Sequence, residues 1–227
     1  MLKTIGWVTT VRQAAPRFFE LVQLLKPTVH VASIKSVDEA FLATHAASAI
    51  LWDVDGTLMP HHDRVVASEV KAILAAVGRR VPQAIVSNCN EERLAELGVL
   101  FAELPVFQGY HLETGDIALR RLHEGRDEWS LGEFAGRRPF PAPPAGALPI
   151  RKPNADVIER VIEAIGADRE RVFMVGDQYF TDIAGANLAG IRSVKVDTLS
   201  PASFPLPVRG LQLLERTVYR VLYGGGQ

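Results

Sequence analysis

The chain of 227 residues sets 25 lysines and arginines against 26 acidic residues, a formal net charge of −1 at pH 7, which argues against a broad nucleic-acid-binding surface because that needs clustered positive charge. At 48% hydrophobic residues it can bury one core, or one domain with a small insert. Its single cysteine, Cys89, excludes an internal disulfide framework and a multi-cysteine zinc site and suits a reducing compartment.

In chain order, "MLKTIGWVTTVRQAAPRFFE" lacks a continuous hydrophobic segment followed by a small-residue cleavage site, and no later apolar run reaches bilayer-spanning length, so a cytoplasmic setting is expected. An amphipathic helix is expected near 16–26, with Pro16 suited to its first turn and Pro27 stopping it. "TVHVASI" then reads as a short strand and "SVDEAFLATH" as a short helix. Residues 1–47 thus supply a helix and strand that pack on or extend a core spanning 48–108 and 150–227.

From residue 48 apolar runs, turns and helices alternate. "SAILWD", "QAIVSN", "RVFMVGD" and "IRSVKVD" have the aliphatic and β-branched character of strands buried on both faces. Helices are expected near 68–80, 91–97, 155–165 and 182–189. Val70, Ile73, Leu74 and Val77 give the first its apolar stripe, Asn154 and Thr181 are candidate N-caps, and Gly98, Gly166 and Gly190 are candidate terminators. Such alternation predicts a parallel sheet in an α/β fold. Residues 109–149 break the rhythm: "RRPFPAPPAGALP" is too rich in proline and glycine for regular structure, so an insert, able to act as a lid, is expected there. Its front part, "DIALRRLHEGRDEW", suits either a hairpin turning near Gly125 or a short helix. Near the end, Leu211, Leu214, Val218, Val221 and Leu222 recur at roughly helical spacing before a glycine stop.

The polar residues gather where the strands end, the edge at which open α/β sheets bind ligands. Asp53 and Asp55 close the first run and its turn, Ser87 and Asn88 the second, Lys152 follows "LPI", and Asp177 closes "RVFMVGD" with Asp182 just beyond. Adjacent carboxylates at 53 and 55 repel unless a cation lies between them. With Asp177 they make a hard oxygen site suited to Mg²⁺. Asp53 is then a candidate nucleophile toward phosphorus, forming an aspartyl-phosphate, and Asp55 a candidate acid and base for the leaving oxygen and the water. Gly56 lets the chain turn so that both face one cavity. Ser87 and the backbone near Asn88 are placed to hold phosphoryl oxygens, Lys152 to neutralise charge, and Asp182 to orient Lys152 or a metal-bound water. Each feature alone is ordinary turn or cap chemistry; their order at successive strand ends points to a site.

Residues 48–197 resemble the haloacid dehalogenase superfamily of phosphohydrolases in "DVDGTL", "VSN", "RKPNADV" and "GDQYFTDIAGANLAGI". The resemblance implies a Rossmann-like sheet flanked by helices, Mg²⁺ as cofactor, and the roles above for Asp53, Asp55, Ser87, Lys152 and Asp177. The second carboxylate, Asp55, favours phosphoryl transfer over dehalogenation. "LLKPTVHVASI" with "GDQYFTDI" is similar to the YqeG branch, related to phosphatidylglycerophosphate phosphatases, although that branch usually carries asparagine where Gly56 stands. The expected activity is Mg²⁺-dependent hydrolysis of a phosphomonoester, phosphatidylglycerophosphate or a soluble sugar or nucleotide phosphate; an inactive binding or scaffold protein is the alternative of another class. The expected partner is a small-molecule or lipid phosphate ester, with no nucleic acid.

Other features have plainer readings. His61 and His62 read as solvated loop residues, Cys89 as a small packed residue, and Arg137 and Arg138 as a solvated basic pair. Lys3, Arg12, Arg17, Lys26 and Lys35 oppose Glu20 alone in the first 35 residues. With Phe18, Phe19, Leu21, Val22 and Leu25 they could draw the first helix to an anionic membrane, although packing on the core is the default for such a stripe.

Overall fold

The apolar runs become strands because a sheet enclosed on both faces accepts them whole. The computed structural model describes residues 17–131 and 146–224, and among these the strands are β1 (Val29–Val31), β2 (Ala49–Trp52), β3 (Gln83–Val86), β4 (Val106–His111), β5 (Ile117–His123), β6 (Arg126–Ser130), β7 (Leu148–Ile150), β8 (Val172–Gly176) and β9 (Arg192–Val196). Their spatial order is β1-β9-β8-β2-β3-β4-β5-β6. The strands from β1 through β4 pair in parallel, whereas β5 and β6 continue the sheet antiparallel. The helices are α1 (Phe18–Gln23), α2 (Glu39–Thr44), α3 (Ser68–Gly78), α4 (Glu91–Leu100), α5 (Ala155–Ile165), α6 (Ala184–Leu188) and α7 (Leu206–Tyr223).

Side chains alternate across the sheet as the pleat requires. Ile50, Trp52, Phe173 and Val175 pack on one face with Phe41, Leu74, Leu94 and Leu97 from α2, α3 and α4. Ala49, Leu51, Val172 and Met174 pack on the other with Val157, Ile158, Val161 and Ile162 of α5. The result is a mixed α/β fold whose mostly parallel sheet lies between helices.

Several expectations change in three dimensions. The insert expected from residue 109 begins inside β4, and the hairpin alternative is the one formed: Glu124 and Gly125 turn at φ of 51° and 73°, and β5 and β6 extend the central sheet. The described part of 109–149 is therefore sheet rather than a separate lid. Gly98 does not end α4, which runs to Leu100; a Cβ there would lie 2.8 Å from Leu122 Cδ1, so glycine permits the approach of β5. Thr181 is no N-cap, because it lies inside a π-helical turn over Tyr179–Ile183. Asn154 does cap α5, accepting from the Asp156 N–H at 2.8 Å, and Gly166 ends it at φ 65°.

Leu21 and Leu25 of the first helical segment are buried against Tyr179, Phe180 and Ile183, so most of the stripe considered for a membrane packs inward and only Phe18 and Phe19 stay exposed. Lys3, Arg12, Arg137 and Arg138 lie outside the described residues. No helix among the described residues is long and apolar enough to cross a membrane.

Candidate active site

Asp53 leaves β2 with its N–H donating to the Val175 carbonyl at 2.9 Å, and the N–H groups of Thr57, Leu58 and Met59 then all turn back to the Val54 carbonyl. Gly56 sits within this bend at φ 92°, the left-handed region that glycine enters freely. A side chain there would also place Cβ 2.8 Å from both Asp177 Oδ2 and the Phe204 ring. Both backbone and space therefore require glycine.

Lys152 reaches the same edge by a route the sequence did not reveal. Val86 of β3 pairs with Phe107 of β4, while Ile150 of β7 pairs antiparallel with Gly109 on that strand. Strands β3 and β7 thus run toward each other alongside β4 and meet end to end, bringing Asn88 to Lys152. Asn88 closes the joint: its Nδ2 donates to the Lys152 carbonyl and its Oδ1 accepts the Lys152 N–H, each at 2.8 Å. The Asn88 side chain is therefore engaged in placing Lys152, which leaves the backbone N–H groups near Asn88 as the expected phosphate donors there. Ser87 is buried at the end of β3.

The Lys152 ammonium, 1% exposed, donates to Asp53 Oδ1 and to Asp182 Oδ1, each at 2.7 Å. Burial alone would strip its proton, but these two carboxylates outweigh burial and raise its pKa. Asp182 Oδ2 accepts from the Gln178 N–H at 3.0 Å, so both its oxygens are occupied. Burial pushes Asp53 up to about 7, with Lys152 pulling down and Asp182 pushing up. Asp177 is raised well above the carboxylate range by burial, then by the charges of Asp182 and Asp53, with Thr198 and Lys195 pulling less strongly the other way. Both Asp177 oxygens are buried without a hydrogen-bond partner.

Oxygens of Asp53, Asp177 and Asp182 lie within 4.8 Å of one another. Lys152 bonds only Asp53 and Asp182, so Asp177 is left without an ammonium in contact and its two buried oxygens without a donor. This donor set fits a hard divalent cation. The Asp55 side chain is not among these three. Its Oδ1 instead accepts from Arg93 Nη2 at 2.9 Å and from the His62 N–H at 3.1 Å, and its Oδ2 stands 3.7 Å from His61 Nδ1.

Arg93, 2% exposed, was missed in the sequence. It lies in the first turn of α4, after the Asn90 cap, where a cation opposes the helix dipole; that misfit is the signal that could have found it. Its Nη1 also donates to the Asp63 carbonyl at 2.8 Å, which fixes the guanidinium. His61 is not simply solvated: its ring stacks on Phe204 at 4.6 Å, and burial lowers its pKa. Burial raises Cys89 to about 12, in keeping with a packed thiol. Glu215 of α7 was also missed. It is buried, and its Oε2 accepts the Tyr179 N–H at 3.0 Å, tying α7 to the π-helical turn that carries Asp182.

Residues 149–199, which hold Lys152, Asp177 and Asp182, match the model of the HAD-hydrolase-like family. No curated protein matches the chain. Among solved structures, an uncharacterized protein from Listeria monocytogenes serotype 4b is similar at 19% identity, covering 75% of this chain and 99% of that one with a TM-score of 0.40. The core domain of a candidate phosphoglycolate phosphatase from Streptococcus pneumoniae TIGR4 is similar at 16% identity, covering 74% of this chain and 96% of that one with a TM-score of 0.37.

Proposed function

We propose that the protein is a Mg²⁺-dependent phosphatase that hydrolyses a phosphomonoester through an aspartyl-phosphate on Asp53. The observation that carries this reading is the buried Asp53–Lys152–Asp182 chain beside Asp177, whose two oxygens have no protein donor. The match of residues 149–199 to a hydrolase family supports it.

Mg²⁺ held by Asp53 and Asp177 supplies positive charge against the phosphoryl oxygens. Lys152 holds Asp53 by Oδ1, fixes it for attack and pulls its pKa down against the burial that raises it. An Asp53 oxygen bonds to phosphorus while the ester P–O bond breaks, its electron pair leaving on the alcohol oxygen, which takes a proton from Asp55. Water then attacks the same phosphorus, its proton returns to Asp55, and the Asp53 carboxylate is released with inorganic phosphate. Arg93 and the His62 N–H occupy Asp55 Oδ1, so Oδ2 is the oxygen left to carry the proton. Ser87 holds a phosphoryl oxygen.

The test compares Asp53→Asn and Asp55→Asn on an aryl phosphate and an alkyl phosphate with Mg²⁺ present. Asp53→Asn should abolish turnover of both with the fold intact, because an amide cannot serve as the nucleophile. Asp55→Asn should impair the alkyl ester far more, since its leaving group needs the proton. Near-normal turnover by Asp53→Asn would overturn the reading.

A further inference from the structure

Helix α7 packs one side inward, where Val218, Tyr219 and Tyr223 meet the cluster around Leu21 and Tyr179 and Gln212 and Glu215 are 6% and 2% exposed, and it leaves a second apolar stripe outside: Leu206, Leu213, Leu214 and Val221 are 76%, 65%, 50% and 79% exposed. These four are spaced i, i+7, i+8 and i+15, which gathers them on one face of a 3.6-residue helix. Arg209, Arg216 and Arg220 run in a row along one flank of that face. Arg209 and Arg220 are exposed and have no carboxylate partner among the described residues, while Arg216 donates to Thr198 Oγ1 at 2.9 Å. The helix has a single acidic residue, Glu215, and it points inward.

We propose that this outward face of α7 docks the protein on an anionic lipid surface. An apolar stripe flanked by arginines with no exposed carboxylate is the pattern of a helix lying in a membrane interface, leucines at the acyl boundary and guanidinium groups at the headgroups. Charge favours this occupant over a second copy of the chain: two copies packed antiparallel through the stripe set their arginine rows on the same side, like charge against like, and two packed parallel leave both rows unneutralised, whereas an anionic surface neutralises the row. The chain just before the helix adjoins the candidate site. Phe204, two residues before α7, stacks on His61, and Ser203 Oγ accepts the His61 N–H at 3.1 Å. Docking is independent of whether the site hydrolyses phosphate.

The experiment is co-sedimentation of the full chain with phosphatidylglycerol–phosphatidylcholine vesicles and with phosphatidylcholine vesicles, alongside sedimentation velocity without lipid. The wild type should bind the anionic vesicles reversibly, less so as salt rises, and leave the neutral ones unbound. R209Q/R220Q should lower the partition about 25-fold, roughly fivefold per arginine. L213S/L214S/V221S should lower it at least tenfold with an unchanged melting temperature. Absence of binding, equal binding to both vesicles, a lipid-free dimer lost in L213S/L214S/V221S, or a melting temperature that falls in that variant because the stripe is covered in the folded chain would each overturn the proposal.

Discussion

Replacing Glu215 with glutamine should make the protein more stable at alkaline pH and leave it unchanged in acid. Glu215 is 2% exposed; Oε2 accepts the Tyr179 N–H, and Oε1 is buried with no partner. Burial pushes its pKa from 4.5 up to about 8, with the Tyr179 hydrogen bond pulling down and Asp182 pushing up. Below pH 4.5 both folded and unfolded states hold the proton, so the group has no effect on stability. Between 4.5 and 8 the unfolded chain ionises while the folded one keeps the proton, so stability falls as pH rises through this window and stays lowered above it. The shift of about 3.5 units corresponds to about 5 kcal/mol in full; relaxation around a buried carboxylate reduces this, and we expect about 2–3 kcal/mol. Glutamine keeps the acceptor for Tyr179 and does not titrate. Thermal melts in chelator from pH 4.5 to 9 should therefore give melting temperatures that coincide in acid and separate progressively, with Glu215→Gln about 5–10 °C higher at pH 8.5. Asp53 titrates equally in both proteins, so it cancels in the difference. Parallel curves across the whole range would refute the reasoning.

Mg²⁺ near a hundredfold excess over its dissociation constant should stabilise the protein by about 2.7 kcal/mol; thermal melts of Asp177→Ala should show most of that shift gone, and a full shift would place the ion elsewhere. Gly56→Ala forces a positive φ and a close contact on Asp177, worth about 1–2 and 1–3 kcal/mol respectively, so its urea midpoint should drop clearly; a wild-type midpoint would show that the bend relaxes. Arg93→Lys keeps the charge but loses the forked donors, and it should slow alkyl phosphates more than aryl ones, as Asp55→Asn does. Equal slowing of both ester classes would mean that Arg93 does not act through Asp55.

Much of the site was legible because its chemistry is local. Asp53, Asp55 and Gly56 stand within one turn, and Asp177 closes an apolar run buried along its whole length. The side-chain contacts of Asn88 and Arg93 were not legible, because each depends on a partner far away in sequence: Lys152 for Asn88 and Asp55 for Arg93. Asp55 was expected at the metal from its place beside Asp53 and from the family resemblance, and the guanidinium that holds its side chain comes from α4.

Apolar runs and their flanking turns were enough to fix the parallel strands β2, β3, β8 and β9 and the helices between them, since burial on both faces and helical periodicity are written in neighbouring residues. Pairing across distance was decided only in the folded chain. Residues 117–130 carry a pattern compatible with hairpin or helix, and the free edge of β4 selects the hairpin. Strand β7 reaches the site antiparallel because β3 leaves β4 after Phe107, freeing its edge for Ile150. The face that α7 turns inward is likewise set by tertiary contact: the unpaired N–H of Tyr179 takes Glu215, and with Glu215 facing inward the helix geometry leaves Leu213, Leu214 and Val221 on the outside.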